Sequence, residues 1–205
     1  MKTLLIATTN QGKLREIREI LTEEFLTLAD YPAIPAPEET GGSFEENARL
    51  KALYYARATG ELTVAEDSGL EIDALRGAPG VASARYGGPD STYPEKFARI
   101  YAALEKVGSR TSAARFICAL AVARGSKVLF ETRGVVEGSI APEPKGIGGF
   151  GYDPIFFYPP LGRTLAEVED QKSAVSHRAV AFRALGEFLR AGGAGGAGGA
   201  GGAQV

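Results

Sequence analysis

The first residues that could do chemistry lie in a short polar loop near the start of the chain. Thr8, Thr9, Asn10, Gln11, Gly12 and Lys13 separate an apolar segment, 2–7, from an amphipathic segment that begins at Leu14. A loop between a strand and a helix N-terminus offers unpaired backbone N–H groups and the positive end of the helix dipole. The side chains add hydrogen-bond donors and one full positive charge. This loop predicts a phosphate cradle, with a polar connection carrying a surface lysine as the alternative.

The loop differs from a P-loop at two defining positions. A Walker A motif follows G-x-x-x-x-G-K-[ST], and its last hydroxyl residue binds Mg²⁺. Gly12-Lys13 matches the centre of that pattern, but Leu14 replaces the Ser or Thr and the first glycine is absent. An NTPase or kinase that cleaves the γ-phosphate is therefore a competing interpretation that the motif disfavours. A nucleotide-binding module without hydrolysis is a second alternative.

Carboxylates form the next candidate feature. Glu39 lies in the Pro-rich segment YPAIPAPEETGG, and Asp67-Ser68-Gly69 follows the apolar run LTVAE. We interpret Asp67 and Ser68 as the end of a strand, where α/β proteins bind ligands. Proteins hold Mg²⁺ with one or two carboxylates together with substrate phosphates. The alternatives are a solvated loop acid at Glu39 and a simple turn at Asp67.

Two further segments could contact a nucleobase. Phe150 and Tyr152 lie among glycines in GIGGFGYDP, where the backbone can approach a ligand and a ring can stack on a base. A ring folded into the core is the alternative. In KSAVSHRAVAF, Ser176 is the predicted N-cap of the last helix, and His177 and Arg178 occupy its first turn. We expect their amides and the guanidinium to form an array made only of donors.

Hydrophobic periodicity predicts the elements that hold these residues. The predicted helices cover Leu14 to about Glu24, Phe44 to Ala58, the segment after Thr92, and a last helix from near Ser176. The predicted strands cover 2–7, 26–29, the LTVAEDSG segment, 112–123, 127–137 and 155–158. Ser43 and Glu46 have the spacing of a capping box for the second helix. Alternating strands and helices predict an α/β fold, and the hairpin around RGSK makes the sheet mixed.

Composition limits the class of protein. The chain has 205 residues, 44% of them hydrophobic, which fits one globular domain over 1–191. A net charge of -2 argues against a nucleic-acid-binding surface. The single cysteine, Cys118, alternates with apolar residues and is predicted to be a buried strand residue. Gly-Gly-Ala repeats predict a flexible tail over 192–205.

The sequence also predicts where the protein works. No apolar run approaches the ~20 residues that span a bilayer, and the N-terminus does not resemble a signal peptide. We therefore expect a soluble, cytoplasmic protein without a membrane partner. The chain has only two asparagines, Asn10 and Asn47, and each lies beside a lysine, Lys13 and Lys51 respectively.

Taken together, the motifs resemble the inosine triphosphate pyrophosphatase family. The resemblance runs from Thr3 to about Leu189 and is carried by ATTNQGKLREI, EETGGSFEENARLKA, EDSGLEIDALRGAPGVASARYGG, GGFGYDPIFF and KSAVSHRA, in the order and spacing of the family. Thr9 stands where many members have Gly or Ser, and Glu66 replaces a frequent Asp. The Gly-Gly-Ala tail has no counterpart in the family.

This resemblance implies an α/β fold with a mixed, elongated sheet flanked by helices, and two lobes with a central cleft. It implies hydrolysis of non-standard purine nucleoside triphosphates (dITP, ITP, XTP and dXTP), with Mg²⁺, by a homodimer. Asp67 would be the general base and a metal ligand, and Glu39 the second metal ligand. The implied substrate contacts are Thr8 to Lys13, Ser68, Phe150, Gly151, Tyr152, Asp153, Lys172, His177 and Arg178. Lys51, one turn beyond Asn47, is a further candidate phosphate contact.

Overall fold

The computed structural model describes residues 3–193, and most of the predicted tail, 194–205, lies outside them. The strands of the described part are β1 (Leu4–Ile6), β2 (Leu26–Thr27), β3 (Leu62–Ile72), β4 (Ala113–Arg124), β5 (Lys127–Ile140), β6 (Phe156–Tyr158) and β7 (Arg163–Thr164). The α-helices are α1 (Gln11–Ile20), α2 (Phe44–Thr59), α3 (Tyr93–Lys106), α4 (Glu169–Val175) and α5 (His177–Arg190). Short 3₁₀ turns connect several of these elements.

The seven strands of the described part of the chain form one mixed sheet. Its strand order is β2-β1-β3-β4-β5-β6-β7. Strand β1 runs parallel to both β2 and β3, whereas the pairs from β3 to β7 are antiparallel. The predicted mixed α/β architecture is therefore confirmed, and the hairpin of β4 and β5 is its longest pairing.

Alternate residues of β4 pack on opposite faces of the sheet, because side chains along a strand alternate in direction. Cys118, Leu120 and Val122 pack with α1 and α5, whereas the odd-numbered residues Ile117 to Ala123 pack with α2. A third apolar cluster gathers α3, the last part of β3 and strand β6 into the second lobe. Cys118 is buried in β4, as the sequence predicts.

Several predicted boundaries are wrong: the strand predicted over 26–29 ends at Thr27, and the one predicted over 127–137 continues to Ile140. Strand β3 continues through Asp67 to Ile72, because its polar residues pair with β4. Helix α1 begins at Gln11 instead of Leu14, since the Asn10 side chain caps it, and it ends at Ile20 instead of about Glu24. Helix α4 and strand β7 were not predicted from the sequence.

Helix caps explain two of the starts that were predicted well. Ser176 Oγ accepts a hydrogen bond from the Ala179 amide, as expected for the N-cap of α5. At α2, Ser43 Oγ accepts from the Glu46 amide, while the Glu46 carboxylate accepts from Gly42 instead of closing the capping box. No helix in the range 3–193 is long and apolar enough to cross a membrane.

Candidate active site

A cleft of about 340 Å³ brings together residues that are far apart in the sequence. Fifteen of the predicted site residues line it: Thr8, Thr9, Asn10, Lys13, Glu39, Lys51, Asp67, Ser68, Phe150, Gly151, Tyr152, Asp153, Lys172, His177 and Arg178. Gln11 and Gly12 do not line it. Gly12 lies against the ring of Phe150, where a Cβ atom would come within 2.8 Å of Cγ. Glycine is therefore required at position 12 for this close contact.

Hydrogen bonds within the loop 8–13 occupy several of its polar groups. The Asn10 side chain accepts a hydrogen bond from the Lys13 amide at 3.0 Å, so it serves as a helix cap. The Thr8 hydroxyl accepts from the Asn10 amide at 3.2 Å, and Gln11 is exposed. The groups of this loop left to meet a ligand are the hydroxyls of Thr8 and Thr9 and the Lys13 ammonium, which lies 3.6 Å from Glu66 Oε1.

Carboxylates converge at one end of the cleft. Lys51 Nζ lies 2.7 Å from Glu39 Oε1 and 2.9 Å from Asp67 Oδ1. Asn47 is fully buried; its Nδ2 donates to Asp67 Oδ2 at 3.3 Å, and its Oδ1 accepts from the Gly41 amide at 2.8 Å. Asn47 therefore fixes the Glu39 loop relative to Asp67, so that both carboxylates reach the same point.

The electrostatics of this end follow from the same contacts. Burial works to lower the pKa of Lys51, but Asp67 and Glu39 outweigh it and raise that pKa. Burial works against ionisation of Glu39, yet Lys51, Lys13 and Arg85 lower its pKa overall. The lysine is thus a full cation between two carboxylates.

This pair is the candidate metal site. Within residues 3–193, no group of three or more His, Cys, Asp or Glu side chains could hold a metal ion. Two hard oxygen ligands that point at one position fit Mg²⁺, which takes its remaining ligands from water and substrate phosphates. Glu39 and Asp67 therefore fit such an ion only when something else completes its coordination.

At the opposite end of the cleft, Phe150 is fixed by the residues around it. Its amide donates to Asp153 Oδ2 at 2.8 Å, and Lys172 Nζ donates to the same oxygen at 2.6 Å. The Lys172 ammonium also lies over the Phe150 ring, 4.1 Å from its centre. The ring, the carboxylate and the ammonium form one unit between the two lobes.

Tyr152 fits the alternative interpretation, in which the ring folds into the core. It is buried, its hydroxyl donates to the Ser83 carbonyl at 2.8 Å, and its ring packs edge-on against Tyr93. Burial raises the pKa of Tyr152. The phenol is therefore a neutral part of the wall of the cleft.

The expected array of free donors at Arg178 is wrong, because acids hold most of the guanidinium. Its Nε donates to Glu66 Oε1 at 2.8 Å, Nη1 to Glu16 Oε2 at 2.7 Å, and Nη2 to Glu66 Oε2 at 3.3 Å. Nη2 also donates to Ser68 Oγ at 3.1 Å. One N–H, on Nη1, is left for a ligand, together with the backbone amides of the first turn of α5.

These contacts also set the charge states in the buried region. Burial opposes ionisation of Glu66, but Arg178 and Lys13 hold its pKa well below the ordinary value. Burial and Glu66 raise the pKa of Cys118, so its thiol donates to Glu66 and is not a nucleophile. Burial, helped by Arg178 and Lys172, lowers the pKa of His177 well below its ordinary value.

His177 is consequently a neutral imidazole at the wall of the cleft. It stacks on Phe116, with ring centres 4.8 Å apart. Among the buried side-chain nitrogen and oxygen atoms of residues 3–193, its Nδ1 alone has no hydrogen-bond partner. The imidazole retains an unused hydrogen-bonding atom, and its contact with a purine stays a prediction.

Sequence reasoning missed residues that hold the site without belonging to an obvious motif: Glu16, Asn47, Tyr55, Glu66 and Tyr93. Glu16 lies three residues after Lys13, and positions i and i+3 share a helix face, which was a usable signal. Asn47 was noted as a rare residue but given no role. The tyrosines line the cleft and gave no sequence signal.

The fold and this cleft together define an α/β protein with a nucleotide-type site. The chain belongs to the Ham1 family, whose family model matches residues 4–188. This confirms the resemblance inferred from the motifs.

Relatives and solved structures agree with the family assignment. The chain is 48% identical over 187 residues to a dITP/XTP pyrophosphatase of an Exiguobacterium species, which covers 89% of this chain and 94% of the relative. It is 50% identical over 186 residues to the dITP/XTP pyrophosphatase of Gloeobacter violaceus, covering 90% and 93%. A HAM1 protein structure from Coxiella burnetii superposes with a TM-score of 0.85 at 39% identity, covering 93% of this chain and 100% of that chain.

Proposed function

We propose that this protein hydrolyses non-standard purine nucleoside triphosphates (dITP, ITP, XTP and dXTP) to the monophosphate and pyrophosphate. The observation that carries the proposal is the single cleft, which joins a phosphate-type loop and two convergent carboxylates to a pocket with an aromatic ring and amide donors. The names of the relatives support the same reaction.

The proposed chemistry takes place at the carboxylate end. Asp67 accepts a proton from the attacking water, which is directed at the α-phosphorus, while Asn47 holds the carboxylate in place. Lys13, Thr8 and Thr9, which line the cleft in front of α1, are the proposed contacts to the polyphosphate. A divalent cation, for which we propose Mg²⁺, would be held by Glu39 and Asp67 and would neutralise phosphate charge.

Selection of the base is proposed to take place at the other end. Hypoxanthine and xanthine present an acceptor at C6, whereas adenine presents an amino donor. The first amides of α5 and the remaining N–H of Arg178 are donors that would pair with the oxygen and face the amine without an acceptor. Unpaired donors in a buried site are costly, which supports discrimination against adenine.

Phe150 is the proposed stacking partner of the base, and Lys172 and Asp153 fix its ring. Ser68 lies between Asp67 and the Arg178 guanidinium and is the proposed contact to the sugar-phosphate part. We further propose that the enzyme is a cytoplasmic homodimer that binds neither nucleic acid nor membrane; light scattering of the purified chain tests the dimer.

Substrate and product analysis tests the proposed function. Purified protein with Mg²⁺ is incubated with dITP, XTP, dGTP and dATP, and the products are separated by anion-exchange chromatography. We expect dIMP or XMP plus pyrophosphate, with dATP turned over about 10²-fold to 10⁴-fold more slowly. Formation of dIDP and phosphate would indicate γ-phosphate cleavage instead. Persistence of dITP and XTP while dATP is consumed contradicts the proposal.

A further inference from the structure

Lys51 occupies the point at which the two candidate metal ligands converge. Its ammonium contacts Glu39 Oε1 at 2.7 Å and Asp67 Oδ1 at 2.9 Å, and its side chain is 12% exposed. The three residues come from different elements: Lys51 from α2, Asp67 from β3, and Glu39 from the Pro-rich loop. The convergence is therefore a product of the fold and not of local sequence.

The second oxygen of each carboxylate faces a different group. Asp67 Oδ2 accepts from Asn47 at 3.3 Å, and Glu39 Oε2 lies 3.6 Å from Arg85 Nη1. The oxygens that face Lys51 are thus the ones that point to the shared position. A cation that binds Glu39 Oε1 and Asp67 Oδ1 together therefore meets the Lys51 ammonium.

A lysine ammonium and a divalent cation cannot share this position. Mg²⁺ binds oxygen at about 2.0–2.1 Å, so an ion on Glu39 Oε1 and Asp67 Oδ1 would lie very close to an ammonium that contacts the same two oxygens. Two like charges at such short range repel strongly where water is partly excluded. The ammonium can leave only if another anion accepts it, and the polyphosphate of a nucleotide is an anion that would lie in this cleft.

We propose that Lys51 takes the place of the metal ion in the nucleotide-free protein and moves to the polyphosphate when a metal-nucleotide complex binds. The inference rests on the proposed function for the identity of the ligand. It assigns Lys51 two partners in turn, first the carboxylates and then the phosphate. Metal and nucleotide then bind with positive coupling, and each raises the affinity for the other by the same factor.

The decisive experiment measures Mn²⁺ alone, without nucleotide and without turnover. Free Mn²⁺ is followed by electron paramagnetic resonance while it is titrated into the wild-type protein, Lys51→Met, Asp67→Asn and the double variant. We expect the wild type to bind no better than Asp67→Asn, and Lys51→Met to bind at least about tenfold tighter. The double variant should lose this gain, which assigns the new site to the carboxylate pair.

Lys13→Met is the matched control, because it removes from the same cleft one positive charge that contacts Glu66 directly and acts on Glu39 only at longer range. We expect it to change Mn²⁺ affinity by less than about threefold. An equal gain in Lys13→Met and Lys51→Met would show a general charge effect and would overturn the proposal. A wild-type protein that binds Mn²⁺ clearly more tightly than Asp67→Asn would also overturn it.

A second measurement covers the case in which Lys51→Met does not fold. Water-proton relaxation by Mn²⁺ is recorded with the α,β-methylene analogue of dITP, which cannot be cleaved between these phosphates. Wild type should show a bound-metal signal that Asp67→Asn lacks, and only when the analogue is present; the same signal without the analogue contradicts the proposal. If the chain instead fails to hydrolyse dITP, the proposed function is wrong, whereas the Mn²⁺ titrations still test Lys51.

Discussion

The two ends of the cleft both contain ion pairs, but they are built differently. At the base end, the side chains of Arg178 and Glu66 are only 1% and 2% exposed, and each is bound by several partners. At the carboxylate end, the side chains of Lys51, Glu39 and Asp67 are 12%, 30% and 10% exposed. The charges at the base end are buried inside the protein (the sealed end), whereas those at the carboxylate end are partly accessible to solvent and ligands (the open end).

This difference indicates a division of labour. A buried pair such as Arg178 and Glu66 cannot be opened cheaply, because each charge would lose its only compensation in a dry environment. Such a pair gives the base end a fixed shape and a fixed donor pattern. The pairs at the carboxylate end are less completely buried and cost less to break, so this end can exchange its own lysine for ligands. The predictions below test this contrast.

Replacing Asp67 with Asn should have the largest effect on turnover. We expect kcat for dITP to fall by about 10³-fold to 10⁴-fold, because the amide cannot accept the proton from water. The shape is retained, so the urea midpoint should stay nearly unchanged. Glu71→Gln, four residues along β3, is the matched control and should keep its activity. Retained turnover in Asp67→Asn removes this residue from the role of base.

Replacing Arg178 with Met should chiefly affect stability. The change leaves Glu66 and Glu16 buried without their partner, which costs about 3–5 kcal/mol of unfolding free energy. Lys51→Met, at the carboxylate end, should cost less, roughly 1–2 kcal/mol, because Asp67 keeps Asn47 as a partner and Glu39 is 30% exposed. Urea unfolding of both variants at pH 7 measures the two losses of unfolding free energy. Equal losses would remove the distinction between the sealed and the open end.

Asn47 connects the open end to the protein interior and should have an intermediate effect. Asn47→Leu keeps the volume but leaves the Gly41 amide and one Asp67 oxygen without their partner, which costs about 2 kcal/mol. We also expect a lower kcat, because Glu39 and Asp67 lose their common support. Arg49→Leu, two residues along α2, removes only an exposed ion pair with Glu131 and should cost less than about 1 kcal/mol.

Acid should weaken the sealed end in a defined range. The folded pKa of Glu66 lies well below its unfolded value of about 4.3, so its contribution is present above that pH. It is lost as the pH falls through the unfolded value towards the folded one, at up to about 1.4 kcal/mol per pH unit. Urea unfolding between pH 5 and pH 2 should show a shallower slope in Glu66→Gln than in wild type. Identical slopes would mean that Glu66 is not held as a carboxylate.

Local sequence patterns predicted most of the helices and strands and most of the residues at the cleft. The Ser176 cap, the glycine loop around Phe150 and the apolar periods of α2 and α3 are short-range features, and the structure has them where they were predicted. The cleft itself was implied by the resemblance to a family, since no local pattern shows which loops meet.

The partners of the charged groups could not be predicted in this way. Arg178 was expected to offer free donors because Glu16 and Glu66 are 162 and 112 residues away in the sequence. Similarly, Asp67 looked like the end of a strand, because its pairing with Ala119 of β4 is a tertiary contact. Polar residues inside a central strand resemble a turn when only their neighbours in sequence are considered.

The central claim is that the carboxylate end directs water to the α-phosphorus of a purine triphosphate held by the base end. Hydrolysis of dITP in water enriched in ¹⁸O, followed by mass spectrometry of both products, tests it most directly. The heavy oxygen should appear in dIMP, with the pyrophosphate unlabelled, because the attacked phosphorus stays with the nucleoside. Label in pyrophosphate or in inorganic phosphate would contradict the account.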